Sequence, residues 1–581
     1  MRILSPLTGE PTNHPIATVD IETWGLDANE SGDSFALGVW WDGHTSKSFT
    51  DISEFRAFLA SGATRGYYVF AHNGGRYDYI SIFGNYLRQN PNALIMSKNK
   101  FIALKVRENR HVRTFGDFMN LIPASLDSIG KSLGVPKGKT PQKFIDGDRS
   151  QGITQDDIEY CLQDCKVLWT AATALFDELG ETALTAPGLA LKYWRRNYQP
   201  RKYYTDDNNL LSREAYYGGR VEAYYIGKVP TPGGAYYYDI NSLYPLAMLK
   251  GAYPRSDPFM REGEHLRIPS YYVGTAYAKV SVPHSLYLPI LPYRVPETRK
   301  LLFPVGKFSG WWTLAELRKA EELGATVDIS KALVSRPIEN PFNYYVEDIY
   351  DKKSKAIGFK REVYKLLLNS LYGKFGELRG EEKEYAEEFS LDHYRELGEK
   401  HPDVTWVPFS AGREDGYYVW GAPEGGVTDH SIYSWASHIT AYSRLINLDY
   451  HQRILAAGGK VFYTDTDSFF TDRTLESLGL SSMLGEELGA LKLEKKRITI
   501  IRGAKAYTDA KGVTTLKGVP RKAEGSQWGY ATYSRVIGPR EALRTGAQAG
   551  KFAEISKRTW VTYSKRVVQR NGWTPPHIIG N

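Results

Sequence analysis

Acidic side chains at fixed spacings are the groups in this sequence that could do chemistry. Asp465 and Asp467 stand two residues apart in the run Val461-Phe462-Tyr463-Thr464-Asp465-Thr466-Asp467-Ser468-Phe469-Phe470. Its β-branched and aromatic flanks predict a hairpin, and on a strand-like backbone such a pair shares one side. Two carboxylates so close are costly unless something positive sits between them. A third, Asp239, ends a predicted strand in Tyr236-Tyr237-Tyr238-Asp239-Ile240-Asn241-Ser242-Leu243-Tyr244-Pro245. There Asp239 can hold a metal, with Ile240 counted among the metal-holding positions. The backbone from Ile240 to Leu243 and the Ser242 hydroxyl can meet a triphosphate. Tyr244 can pack beneath a sugar and clash with a ribose 2′-hydroxyl, and Pro245 is expected to end the local run.

A separate acidic set lies near the amino terminus. Ile16 to Thr23 reads as a strand with Asp20 and Glu22 on one face. Tyr67 to Ala71 reads as another, running into His72-Asn73-Gly74-Gly75-Arg76-Tyr77-Asp78, where the glycines permit a tight turn and Asp78 can begin a helix. Thr154 caps a third element, with Asp157 three residues on and apolar residues from Ile158 to Ala172 at helical spacing. Tyr160 and Asp164 share one face of that helix. Asp20, Glu22, Asp78 and Asp164 can therefore converge. Hard oxygen ligands of this kind fit magnesium or manganese, and a pair of such ions can activate a water and stabilise the leaving oxygen of a phosphodiester. Tyr160 can orient that water, and Lys137 can neutralise the phosphate.

Other elements supply positioning groups. Ser34 to Trp41 is a predicted strand, and Phe55 to Leu59 lies in a predicted helix. The basic, aromatic segment holding Lys192, Tyr193, Trp194, Arg195, Arg196 and Tyr198 reads either as a linker surface facing nucleic acid or as a solvated helix flank. In Tyr217-Gly218-Gly219-Arg220 the glycines allow close backbone approach and Arg220 is expected to meet a phosphate. Between Pro254 and Glu347 several short strands and a helix from Thr313 to Leu323 are expected. Lys352 to Gly373 is the clearest helix of this half, and Lys365, Asn369 and Tyr372 form one stripe on it. Lys365 there can neutralise nucleotide phosphates, Tyr372 can stack near a base pair, and Gly373 permits close approach. A further helix is expected from Tyr433 to Asn447. Basic residues recur in the strand from Leu491 to Ile500 and in the tail, at Lys551, Lys557, Arg558, Lys565, Arg566 and Arg570, and suit a module that grips duplex.

A chain of 581 residues implies two to four packed units. A formal charge of +8 favours polyanionic partners. The 41 tyrosines, 13 tryptophans and 23 phenylalanines suit cores and base stacking alike. The two cysteines, Cys161 and Cys165, lie one helical turn apart in an apolar pattern, which argues against a disulfide framework or a cysteine zinc site and fits a reducing compartment. No secretory signal or membrane-length apolar run is visible, so a soluble protein is expected.

In order along the chain, these motifs resemble those of family B DNA polymerases with 3′ to 5′ proofreading. Asp20-x-Glu22, Asn73 with Tyr77-Asp78, and Tyr160-x-x-x-Asp164 match the three exonuclease motifs. Asp239-x-x-Ser242-Leu243-Tyr244-Pro245, Lys365-x-x-x-Asn369-Ser370-x-Tyr372-Gly373 and Thr464-Asp465-Thr466-Asp467 match the polymerase motifs. The resemblance implies that Asn73 and Tyr77 hold a frayed primer end, with Lys137 as the exonuclease lysine. It implies that Tyr217, Gly218 and Gly219 contact template, that Thr466, Lys505 and Tyr507 lie near the primer terminus, and that Lys517 touches the DNA backbone. Asp239 and Asp467 would bridge two Mg2+ or Mn2+ ions, with Asp465 as a supporting carboxylate. Two more ions would lie on Asp20, Glu22 and Asp164. Two interruptions point by position to the protein-primed subgroup of bacteriophages and linear plasmids.

The implied fold is multidomain α/β. A ribonuclease-H-like exonuclease domain (1–188) precedes a linker and first palm part (189–253), a first insertion contacting terminal protein and duplex (254–347) and fingers (348–376). A second insertion (377–414), a second palm part with an antiparallel sheet (415–494) and a thumb (495–581) follow. The implied partners of a monomeric enzyme are primer-template DNA, dNTPs, a terminal protein and a single-stranded-DNA-binding protein, with no membrane. The expected compartment is bacterial cytoplasm if phage-encoded, with an organelle left open. A conventionally primed family B polymerase is the nearest alternative. The carboxylate sets count against an inactive DNA-binding relative, and the sequence after Gly218 counts against an exonuclease alone. The lysine-tyrosine helix and the amino-terminal acidic set count against a reverse transcriptase.

Overall fold

The computed structural model describes residues 2–580 apart from 12–13, 26–33, 76, 91–92, 98–99, 109–110, 206–208, 379–381, 387–394, 397–398, 400–403, 411–416, 424–426, 520–529, 537–551 and 559–561. Arg76, Lys551 and much of the second expected insertion lie outside the described residues.

The amino-terminal unit is built on a seven-stranded sheet, in spatial order Ser46–Phe49, Phe35–Trp41, Ile16–Thr23, Tyr68–Ala71, His111–Asp117, Lys100–Glu108 and Leu94–Ser97. The central strand Tyr68–Ala71 runs parallel to both neighbours, and the outer pairs are antiparallel. The helix Gln155–Leu179 covers the sheet. It starts because the Thr154 side chain and the Asp157 carboxylate cap each other's backbone amides, and it stops at Gly180, whose φ of 63° other residues resist. Its buried stripe from Cys161 through Leu179 fixes the helix across the strand that carries Asp20 and Glu22.

The basic segment after this unit is neither a nucleic-acid surface nor a solvated flank. It forms the helix Ala186–Asn197, in which Trp194 is fully buried and Tyr193 nearly so. The Trp194 indole N–H donates to the Pro341 carbonyl at 3.0 Å, and its ring meets Phe342, Phe375 and Trp435 at 5.5–6.5 Å between centroids. The helix is thus a joint between the two halves. Burial of each such ring stabilises by roughly 1.5–3 kcal/mol, and the outward charges are tied off, Arg195 on Ser5 and Arg196 on Glu181.

The second half centres on an eight-stranded antiparallel sheet. Its main path runs Val221–Ala223, Val461–Asp465, Ser468–Thr471, Ala235–Ile240, Leu491–Gly503, Ala506–Asp509 and Thr514–Leu516, and Gly227–Lys228 also pairs with Leu491–Gly503. The helix Tyr433–Ala456, nine residues longer than the expected Tyr433 to Asn447, packs against it. Residues 254–347 supply four strands of a five-stranded sheet, the three longest being Val273–Val282, Val305–Thr313 and Thr326–Ser335, longer than the short strands expected. Helix Leu314–Glu322, capped by Thr313, lies on it, and the carboxyl-terminal pair Ile578–Ile579 returns to join this sheet in parallel.

Two expectations fail for local reasons. Pro245 does not end a run: it sits in the first turn of helix Leu243–Lys250, where a missing N–H costs nothing. The helix expected over Lys352 to Gly373 is two helices, Asn343–Lys355 and Gly358–Ser370, followed by the short turn Tyr372–Phe375. Ala356 and Ile357 are extended and Gly358 takes φ 55°, which folds the second helix back on the first. Several expected boundaries also fall inside elements. Position 188/189 lies in Ala186–Asn197, 347/348 in Asn343–Lys355 and 494/495 in Leu491–Gly503, because packing continues across each. The three strands near the second insertion end at Pro423, beyond residue 414. Among the described residues, no helix is long and apolar enough to cross a membrane.

Candidate active sites

The Asp465 hairpin turns at Thr466, a non-glycine residue held at φ 62°. Three bonds hold it there: the Thr466 amide donates to the Arg220 carbonyl at 2.7 Å, the Asp467 amide to the Asp465 carbonyl at 2.7 Å, and Asn447 Nδ2 to the Thr466 carbonyl at 3.1 Å. Gly219 lies against this turn. A Cβ there would sit 2.5 Å from the Thr466 side chain, so only glycine fits.

Register then brings the carboxylates together. Asp465 pairs with Ser468, and Ser468 pairs on its other side with Asp239, so the three form one row across the sheet. The Ile240 amide donates to the Asp467 carbonyl at 2.6 Å, which joins the strand end to the turn. Burial, then the neighbouring Asp467 charge, pushes the Asp239 carboxyl up to about 7, and burial and Asp465 raise Asp467. Asp465 itself is paired, with Lys505 Nζ at 2.7 and 2.8 Å from its two oxygens. Lys505 is held at φ 56° by its own amide, which donates to Tyr463 Oη at 2.8 Å. Two partly buried carboxylates, both raised by burial and by a neighbouring aspartate, are what a hard divalent cation relieves, so Asp239 and Asp467 fit Mg2+ or Mn2+.

Opposite this row stands a basic group of which sequence reasoning found only Lys365. Lys353 Nζ lies 3.4 Å from Ser242 Oγ and 4.4 Å above the Tyr350 ring, and burial with the nearby Arg361 and Lys365 charges lowers its pKa. Lys365 pairs loosely with Glu362 at 3.6 Å. Lys353 and Arg361 were missed because a single helix would not bring both helices' cations towards Ser242; Gly358 was the signal. Ser242 takes φ 55° and opens the helix whose first amides, Leu243 and Tyr244, are those that intrahelical bonding leaves free to hold an anion. Tyr244 stacks on Tyr372 at 4.1 Å and 18°. Asn369 is exposed, and Gly373 has open space where a Cβ would point.

Four expected DNA contacts, Arg220, Arg566, Tyr217 and Tyr507, are enclosed. Arg220 is 1% exposed; it donates to Glu222 at 2.8 Å and to the Pro289 carbonyl at 2.9 Å, and lies over Phe303. It cannot meet a phosphate, because Glu222, two residues along and on the same face, neutralises it. Arg566 of the expected grip is buried on the same Glu222, and Lys565 donates to the Val221 carbonyl. Tyr217 and Tyr507 are buried too: Tyr217 beside Arg294 and Arg444, Tyr507 against Phe470 and Tyr463. Gly218 and Lys517 are exposed. Arg444, not singled out in the sequence, is gripped by Glu316 at 2.7 and 2.8 Å and donates to the Tyr217 and Gly218 carbonyls at 2.8 and 2.9 Å.

In the amino-terminal unit the four carboxylates do converge. Asp78 opens the helix Asp78–Gln89, and its Oδ1 accepts the Ile21 amide at 3.2 Å, between Asp20 and Glu22. Asp164, 3% exposed at its side chain, is ion-paired with Lys137, whose Nζ also lies 3.4 Å from Tyr160 Oη. Thr140 holds that hydroxyl at 2.9 Å. Burial and then Asp164 push Asp20 up to about 7; burial and then Asp20 raise Glu22 and Asp78 well above the carboxylate range. Asp164 Oδ1 is buried without a hydrogen-bond partner. Crowded carboxylates and an orphaned oxygen fit a cation site. Asn73 takes φ 65° because its amide donates to Asp117 at 2.9 Å, and the Gly75 amide reaches the same carboxylate at 3.3 Å. Tyr77 hydrogen-bonds Thr23 beside Glu22. Sequence reasoning missed Asp117, which ends a strand without a motif around it.

A folded-state carboxyl at about 7 binds a proton that the unfolded chain has released above the ordinary aspartate value of 3.8. Metal-free stability supplied by Asp20 protonation is therefore greatest on the acid side and lost as pH rises from about 4 to about 7. Thermal melts in EDTA are expected to show Asp20→Asn gaining on the wild type across that window. A constant difference would remove the shift.

Comparison with known proteins agrees with this architecture. Residues 147–388 match the family model described as DNA polymerase type B, organellar and viral. The DNA-directed DNA polymerase of Enterobacteria phage PRD1 is 24% identical over 87% of this chain and 84% of its own length, and that of Bacillus phage phi29 is 24% identical over 63% and 62%. A probable DNA polymerase of Podospora anserina is 26% identical over 68% of this chain, which spans only 37% of that relative's length. The structure of phi29 DNA polymerase with primer-template DNA and incoming nucleotides shares the fold, with a TM-score of 0.69, 17% identity and coverage of 95% of this chain and 100% of that one.

Proposed function

We propose that this chain is a type B DNA polymerase like those of organelles and viruses that it resembles, and that it copies DNA from a protein primer and removes mismatched 3′ ends at a second site. The observation that carries the reading is one chain with two carboxylate clusters on two separate sheets, each raised by burial and mutual repulsion.

In synthesis, Asp239 and Asp467 hold the divalent ions and Asp465, paired with Lys505, supports them from the same row. When bound, two such ions activate the attacking hydroxyl and offset charge on the leaving pyrophosphate. Lys353, Arg361 and Lys365 with the Leu243 and Tyr244 amides grip the triphosphate, and Thr466 lies near the primer end. The stacked Tyr244 and Tyr372 floor the sugar and base. In excision, Asp20, Glu22 and Asp164 hold the ions, Asp78 braces the strand between them, Tyr160 orients water and Lys137 faces the phosphate. Asn73 and Tyr77 receive the unpaired 3′ end. The partners are primer-template DNA, dNTPs and a terminal protein whose hydroxyl takes the first nucleotide, with a single-stranded-DNA-binding protein on the displaced strand.

Two tests follow. Tyr244→Val opens the floor beneath the sugar, and discrimination against ribonucleotides is expected to fall by at least about tenfold, the value of a 1.4 kcal/mol clash. An unchanged ratio of incorporation efficiencies would remove the gate role. For priming, the enzyme is incubated with candidate terminal proteins, Mg2+ or Mn2+ and each labelled dNTP. Label attached covalently to protein supports the reading, and no adduct with any partner assigns a conventional primer.

A further inference from the structure

The amino-terminal site contains a sulfur donor that a magnesium site does not use. Cys161 lies three residues before Asp164, on the same face of the covering helix. Its Sγ is 3.4 Å from Asp20 Oδ2 and 3.6 Å from the Asp20 carbonyl oxygen. One donor atom each from Asp20, Glu22 and Cys161 lie within 4.8 Å of one another. In a tetrahedral zinc site with about 2.3 Å to sulfur and about 2.0 Å to oxygen, those two ligand atoms stand about 3.5 Å apart. The sulfur-oxygen separation already has that size. Independently, Asp164, 3% exposed at its side chain, offers a buried Oδ1 with no partner, and its charge acts on both Asp20 and Glu22.

We propose that Cys161, Asp20 and Glu22 together bind thiophilic divalent ions, zinc or cadmium, with Asp164 beside them, and that such ions stop excision before they stop synthesis. Soft ions prefer thiolate, and the chain's two cysteines both lie in the amino-terminal unit, so the Asp239 and Asp467 cluster has oxygen donors alone. Binding exchanges the S–H bond for a sulfur-metal bond and releases the proton to buffer, with no change of oxidation state. The binding half stands on geometry; the inhibition half rests on the exonuclease reading.

The test uses the whole protein and cadmium alone as probe. Wild type and Cys165→Ala, whose sulfur faces the Val39 carbonyl, are expected to develop the ultraviolet thiolate-to-cadmium charge-transfer band, and Cys161→Ala is not. Loss of even an outer-shell partner weakens metal sites about tenfold, so Cys161→Ala should weaken cadmium binding by at least about tenfold. The cadmium-113 resonance of the wild type needs no variant: one sulfur in the donor set supports the proposal, and all-oxygen coordination overturns it. A band that survives in Cys161→Ala also overturns it. Excision and nucleotide addition are then titrated with cadmium in Mg2+. Excision lost at the lower concentration supports the selectivity, and equal loss of both overturns it. A cadmium-sulfur signal in a protein that excises nothing in Mg2+ would instead sink the exonuclease reading and leave the metal site standing.

Discussion

Asp467→Ala should abolish nucleotide addition, by about a thousandfold or more, while excision of single-stranded DNA stays within about twofold of wild type. The size follows from removing one of the two carboxylates proposed to hold the ions of a phosphoryl transfer, an effect of several kcal/mol at about 1.36 kcal/mol per tenfold. The turn itself should survive. It is held by backbone bonds from Thr466 to Arg220 and from Asp467 to Asp465, which alanine keeps. Removing a carboxylate that burial and Asp465 raise also relieves repulsion in the metal-free protein. Asp465→Ala is expected to be milder, because Asp465 already has a permanent partner in Lys505. Loss of both activities in a folded Asp467→Ala protein would defeat the division into two sites.

The reciprocal result is expected at the other sheet. Asp20→Ala/Glu22→Ala should reduce excision by about a thousandfold or more on the same reasoning, with primer extension retained and misincorporated nucleotides left in the product. Both side chains lie on Ile16–Thr23, whose fold rests on buried Ala17, Thr18, Val19 and Ile21 of the same strand, so the strand does not depend on the acids. Sequencing of extension products and a 3′ degradation assay together check it. Excision that persists in this variant would place the hydrolytic site elsewhere.

Much of the two candidate sites was legible because their acidic residues are set by local, regular patterns. Alternation put Asp20 and Glu22 on one face, the turn run 73–78 delivered Asp78 to a helix start, and the Thr154–Asp157 box fixed the helix that carries Tyr160 and Asp164. Hairpin patterning likewise located Asp465 and Asp467. What escaped was decided by partners far along the chain. Arg220 looks like a phosphate ligand until Glu222 and Arg566, 344 residues beyond that glutamate, enclose the charge. Tyr193 and Trp194 look amphipathic until Phe342, Phe375 and Trp435 arrive around them. Lys353 and Arg361 required seeing Gly358 as a reversal, a φ of 55° in a run whose composition favours one continuous helix. Arg444 acts on carbonyls of Tyr217 and Gly218, which no local pattern announces.

The central claim is that one chain carries both a synthetic and a hydrolytic site, and idling turnover tests it most directly. The wild-type protein is given a recessed primer-template, Mg2+ and only the next complementary dNTP, labelled. The account predicts continuous conversion of dNTP to dNMP at constant primer length, abolished by Asp467→Ala and by Asp20→Ala/Glu22→Ala separately. Extension without dNMP release, or dNMP release that survives either substitution, would contradict it.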